Sequence, residues 1–198
     1  MRGSILIPLF LVASLIPGCI SDAGKAPGPS SCGMYCHIDP ATGAAVISDL
    51  RISGAGQGVG LKLSIERETV LRNVTLTGFP VGIEVLAAPC GTCTLRLEAI
   101  TLEAPTGPFE MPAVASSVPV GILMVGSDGP HAIHVEGAQI SGFNKAIYLV
   151  HDNRVAEFAT KSISFANVTI GCVNDGVKVA ASKIQFSLTR IQDCAGTG

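Results

Sequence analysis

Apolar and polar residues alternate in short stretches along this chain, and the stretches return with a period of about 25 residues. The origin of each unit falls at Asp49, Asn73, Ala99, Gly137, Asn167 and Leu188. One place on stand Leu50, Val74, Ile100, Ala138, Val168 and Thr189, and three places on stand Ile52, Leu76, Leu102, Ile140, Ile170 and Ile191. Side chains two apart in an extended chain point the same way, so this alternation predicts a strand with one buried face. Two places before the origin are Ile47, Leu71, Leu97, Val135, Phe165 and Phe186, preceded at the same spacing by Ala45, Thr69, Leu95, Ile133, Ile163 and Ile184. These predict a second strand, with the origin as the bend between the two. Asp49, Asn73 and Asn167 suit that bend, because Asx residues tolerate the left-handed region.

A third run carries Val59, Ile83, Ile122, Ile147 and Val177, then Leu61, Val85, Met124, Leu149 and Val179. A small residue precedes each: Gly58, Gly82, Gly121, Ala146 or Gly176. Three short strands per unit, each with one apolar face, predict an all-β chain wound as a triangular coil in which like residues stack. The pattern resembles the repeat of right-handed parallel β-helix proteins of the pectate-lyase-like superfamily. The resemblance implies a single-stranded solenoid of about six coils over residues 41–198. The last unit begins at Leu188, close to Gly198, so the expected array is incomplete at its C-terminal end. Its open end raises end-to-end assembly as a partner expectation.

The spacing between origins is irregular in two places. An insertion, EAPTGPFEMPAVASSVP, lies between Leu102 and Gly121, and a loop, VHDNRVAEFATKS, runs from Val150 to Ser162. Loops on such scaffolds are where binding or chemistry concentrates.

Ahead of the repeats, residues 1–18 read as a signal peptide. Arg2 supplies the positive start, and the apolar run Ile5 to Ile16 is too short to span a bilayer. The run ends Ile16-Pro17-Gly18-Cys19, which resembles a bacterial lipobox, with Pro17 where Ala or Ser is usual. That resemblance implies a lipidated Cys19, export, and a membrane partner reached through the lipid anchor, at the outer membrane or cell surface. Residues 19–40 then comprise the lipidated cysteine, a Pro-, Gly- and Ser-rich tether and a cap.

Six further cysteines remain: Cys32, Cys36, Cys90, Cys93, Cys172 and Cys194. Export makes disulfides the default for them. Cys172 and Cys194 occupy neighbouring offsets on successive units and are the pair best placed to bond. The others could pair locally or with each other. Cys-Gly-Met-Tyr-Cys-His and Cys-Gly-Thr-Cys also have ligand-like spacing, but no metal site is expected from them.

A net charge of −2 offers no field for nucleic acid. Polysaccharide lyases and hydrolases of the resembled superfamily imply clustered Asp residues, calcium for the lyases, and Arg or Lys. The acidic residues here are scattered, and the nearest polar constellations are His151, Asp152 and Arg154 in one loop and Asp175 in an Asn-Asp-Gly turn. His131 and His134 flank the inward Ile133 and are expected to face solvent. Aromatic residues are only 5% and Trp is absent, so sugar-stacking platforms are few. The leading functional expectation is therefore a lipid-anchored, cell-surface protein with a structural or ligand-binding role, polysaccharide being the ligand class considered. No cofactor is expected. The alternative is a polysaccharide lyase or glycoside hydrolase, or a fragment of one, with its site on the two irregular loops. Calcium belongs only to that alternative.

Overall fold

The computed structural model describes residues 36–87, 92–114, 116–125, 130–150, 160, 162–179, 181 and 183–192. The strands are β1 (Cys36–Ile38), β2 (Ala45–Ser48), β3 (Arg51–Ser53), β4 (Val59–Ser64), β5 (Thr69–Thr77), β6 (Val81–Ala87) and β7 (Thr94–Glu103). They continue with β8 (Val120–Val125), β9 (Ala132–Glu136), β10 (Gln139–Val150), β11 (Ser162–Ala166), β12 (Thr169–Val179), β13 (Lys183–Ser187) and β14 (Arg190–Gln192).

All six origins bend the chain. Asp49, Asn73, Ala99, Asn167 and Leu188 have φ between 49° and 55°, and Gly137 has φ 63°. Asn73 is further held by its Nδ2, which donates to Asp49 Oδ1 at 2.7 Å across successive units. At Asn73 and Ala99 the left-handed residue turns the strand without ending it, whereas at the other four origins one strand ends and the next begins two or three residues on. In β5 and β7 the backbone pairs on both sides of the bend, Arg72 with Glu98 and Val74 with Ile100. β10 and β12 likewise run through what the apolar pattern divides into two strands.

This continuity corrects the expected architecture. The strands do not form a right-handed parallel β-helix with three separate short strands per coil. They join one 14-stranded sheet whose main path is β1-β2-β5-β7-β10-β8-β6-β4. The sheet is mostly parallel, with β1 antiparallel to β2. It is an all-β, strongly curled half-barrel, and among the described residues no solenoid of the pectate-lyase-like kind is seen. The curl encloses one apolar cluster that includes Leu71, Leu97, Ile100, Leu102, Ile140, Phe143, Phe165 and Ile170, each almost wholly buried.

The first unit also departs from the expected register. Leu61, not Val59, pairs with Ile83, and Val59 pairs with Val81. The small residue aligned with Gly82 is therefore Gly60. Its role is close approach: a Cβ on Gly60 would lie 2.7 Å from the Gly82 carbonyl oxygen, and one on Gly82 would lie 2.6 Å from that of Gly121. Real Cβ atoms do not come that near to a carbonyl, so neighbouring strands meet here only through glycine.

The inserted segment after β7 packs onto the outer face instead of standing free. Glu110 donates its N–H to the Gly56 carbonyl at 2.8 Å, and Gln57 Nε2 donates to Glu110 Oε2 at 3.2 Å. Met111 and Val114 cover Val59, Val81, Val120 and Leu123. Burial falls away at the far edge, where Ile184, Phe186, Leu188 and Ile191 of the last two strands and their bend are exposed.

Candidate functional site

The outward residues of β2, β5, β7, β9 and β11 stack as firmly as the inward ones, because register is shared across the sheet. One outward row reads Val46, Val70, Arg96, His134, Ser164 and Gln185, and the next reads Ser48, Arg72, Glu98, Glu136, Ala166 and Ser187. At the β1–β2 end these rows floor a groove of about 500 Å³. Ala44, Val46 and Val70 form its apolar base. His37, Asp39, Asp49, Glu68, Arg72, Arg96 and Glu98 give it polar walls.

Local chemistry positions those walls. Asp39 closes the β1–β2 turn by accepting from the Ala41 N–H at 2.9 Å and from the Thr42 hydroxyl at 2.9 Å. Those bonds, the Ala41 N–H foremost, hold its carboxyl below the ordinary range. Arg72 Nε donates to Glu98 Oε2 at 2.8 Å, and Arg96 Nε donates to Glu68 Oε1 at 3.0 Å. Both pairs are half-exposed, so each adds at most about 1 kcal/mol to stability. What they do is fix four polar side chains in an alternating donor and acceptor array.

Beyond Arg96 the row continues with a half-buried histidine. His134 Nδ1 lies 2.6 Å from Ser164 Oγ. Desolvation first, then the Arg96 charge, pushes the His134 pKa down, with Glu68 acting the other way. The imidazole is therefore biased toward its neutral form.

His131 is exposed as expected, whereas His134 is held between Arg96 and Ser164. Asp175 is exposed on β12 in register with Lys145. His151, Asp152 and Arg154 lie outside the described residues, as do Cys19, Cys32, Cys90 and Cys194. Cys172 pairs through its backbone with Phe143, but its side chain also lies outside them, so the Cys172–Cys194 bridge is not shown. Cys36 and Cys93 are each disulfide-bonded. Among the described residues no group of three or more His, Cys, Asp or Glu is placed to hold a metal ion. Phe79 and Phe143, which share one offset, are buried in the core and offer no sugar platform. Gly54 makes room for the Phe79 ring, whose carbons would stand 2.7 Å from a Cβ there.

No family model matches the chain, and no curated protein or solved structure matches it. The pectate-lyase-like resemblance therefore gains no support from known proteins.

Proposed function

We propose that this is an exported, lipid-anchored envelope protein whose outer groove binds a neutral saccharide. The groove lining carries the reading. It sets four carboxylates, from Asp39, Asp49, Glu68 and Glu98, against the guanidiniums of Arg72 and Arg96. That balance repels the polyanions on which pectate-lyase-like enzymes act. Paired Arg and Glu side chains suit hydroxyl groups, which both donate and accept, and Val46 and Val70 suit the apolar face of a sugar ring. Glycosidic cleavage is not part of the reading, because Glu68 and Glu98 are each engaged by an arginine.

Calorimetric titration of the mature chain with neutral oligosaccharides and with polygalacturonate tests this. Neutral ligands are expected to bind, and Arg72→Ala or Arg96→Ala should each weaken them by roughly tenfold to a hundredfold, the loss of one charged hydrogen-bond donor. Tight polygalacturonate binding, or its cleavage lost in Asp152→Ala, would instead favour the lyase alternative. The anchor has its own test. Cys19→Ser should move the protein from the detergent phase to the aqueous phase, because several acyl chains bind a bilayer at about 0.8 kcal/mol per buried CH₂. Unchanged partition would remove the anchor from the reading.

A further inference from the structure

The row that floors the groove does not stop at its rim. Past Arg96 it sets a histidine beside a serine, at a distance shorter than a typical hydroxyl hydrogen bond. Neither residue belongs to the saccharide reading. The sheet explains why they meet. His134 on β9 and Ser164 on β11 are direct partners in a parallel register, and Arg96 on β7 is the partner of His134 on its other side. Their inward neighbours Ile133, Val135, Ile163 and Phe165 are all buried to about 1–2% exposure, which fixes the backbone that carries the pair.

We propose that Ser164 and His134 form a nucleophile–base pair that hydrolyses carboxylic esters, with Arg96 stabilising the developing oxyanion. The substrate class is a small acyl ester, and on a saccharide it is an O-acyl group presented by a chain lying in the groove. That last clause rests on the saccharide reading; the ester chemistry stands on the pair alone.

The chemistry balances with water as the only co-reactant. With the imidazole proton on Nε2, Nδ1 accepts the Ser164 hydroxyl proton as Oγ bonds to the ester carbonyl carbon. The carbonyl oxygen takes the negative charge beside the Arg96 guanidinium. Glu68 holds Arg96 through Nε, and that bond does not use the two Nη groups. Collapse breaks the bond to the alcohol oxygen, which leaves with the proton from His134. A water then gives a proton to Nδ1 and attacks the acyl carbon. Release of the carboxylic acid returns the proton to Ser164 Oγ. A base in this role must be neutral near pH 7, and the burial and Arg96 charge that hold His134 down favour that form.

The experiment uses the mature full chain. A fluorophosphonate probe should label it, peptide mass spectrometry should place the label on Ser164, and 4-nitrophenyl acetate should be turned over above the buffer rate. Ser164→Ala should abolish the label and the turnover. His134→Gln should slow turnover by about a hundredfold or more, and Arg96→Gln by at least about tenfold. Circular dichroism melting of each variant, with Ser164→Thr as a milder second variant, separates lost chemistry from lost folding. No label on the folded wild type, or turnover that survives Ser164→Ala, overturns the pair. Turnover of 4-nitrophenyl acetate lost in Ser164→Ala, together with no saccharide binding, upholds the pair and sinks the saccharide reading. Saccharide binding without ester turnover does the reverse.

Discussion

Phe165→Ala is expected to destabilise the fold by about 3–5 kcal/mol, and Phe186→Ala by less than about 2 kcal/mol. The two positions are equivalent in the repeat and are direct partners across β11 and β13. Their rings stack with centroids 4.9 Å apart and planes at 15°. They differ in cover. Phe165 is 1% exposed, with β9 on one side and β13 on the other, whereas Phe186 is 55% exposed. Removing the buried ring leaves a cavity in a packed cluster and also deletes the stack. Removing the exposed ring deletes the stack, about 0.5–1.5 kcal/mol, and little else. Equilibrium denaturation of both variants measures the contrast. Equal losses would mean that Phe186 is covered in solution.

Much of this arrangement is legible in the apolar pattern, and the failures are instructive. The register marks all six bends, three of them by Asx residues, though Ala99 and Leu188 carry no local signal for a left-handed φ. What the pattern cannot tell is whether a bend breaks a strand. That depends on whether the hydrogen-bond ladder resumes on the far side, as it does at Val74 and Ile100, and this is a property of the neighbours. The slip at Gly58 has a similar origin. Gly54, Gly56, Gly58 and Gly60 alternate, so the small-residue position had several candidates. Only the close approach to the Gly82 carbonyl selects Gly60. The candidate site was within reach: three places before each origin stand Val46, Val70, Arg96, His134, Ser164 and Gln185. The inward offsets do not show it, because this row lies on the outward face of the strands. The contact between His134 and Ser164 is then a consequence of parallel register, which brings residues thirty positions apart side by side.

Gly121→Ala should cost about 1–3 kcal/mol, and Gly121→Val more, because the added atoms have nowhere to go. A Cβ on Gly121 would stand 2.5 Å from the Ala146 carbonyl oxygen and 2.7 Å from Ile140 Cγ2. The first is backbone within the β8–β10 pairing, and the second belongs to a core side chain that is 1% exposed. Neither yields without opening the sheet or displacing the core. Two controls separate this clash from the general effects of replacing glycine. At Gly107 nothing lies within 4 Å of a Cβ and φ is not left-handed, so Gly107→Ala should be neutral, or stabilising by about 0.4–1 kcal/mol through the unfolded chain. At Gly58 there is also open space but φ is +76°, so Gly58→Ala should lose about 1–2 kcal/mol from backbone strain alone. The discriminating step is valine. At Gly121 each added methyl meets more of the facing strand and core, whereas at Gly107 it meets solvent. Urea unfolding of the set should therefore show a penalty that grows with side-chain size at Gly121 and stays flat at Gly107. A flat response at Gly121 would mean that the strands there stand farther apart than the Gly82, Gly121 and Ala146 row requires.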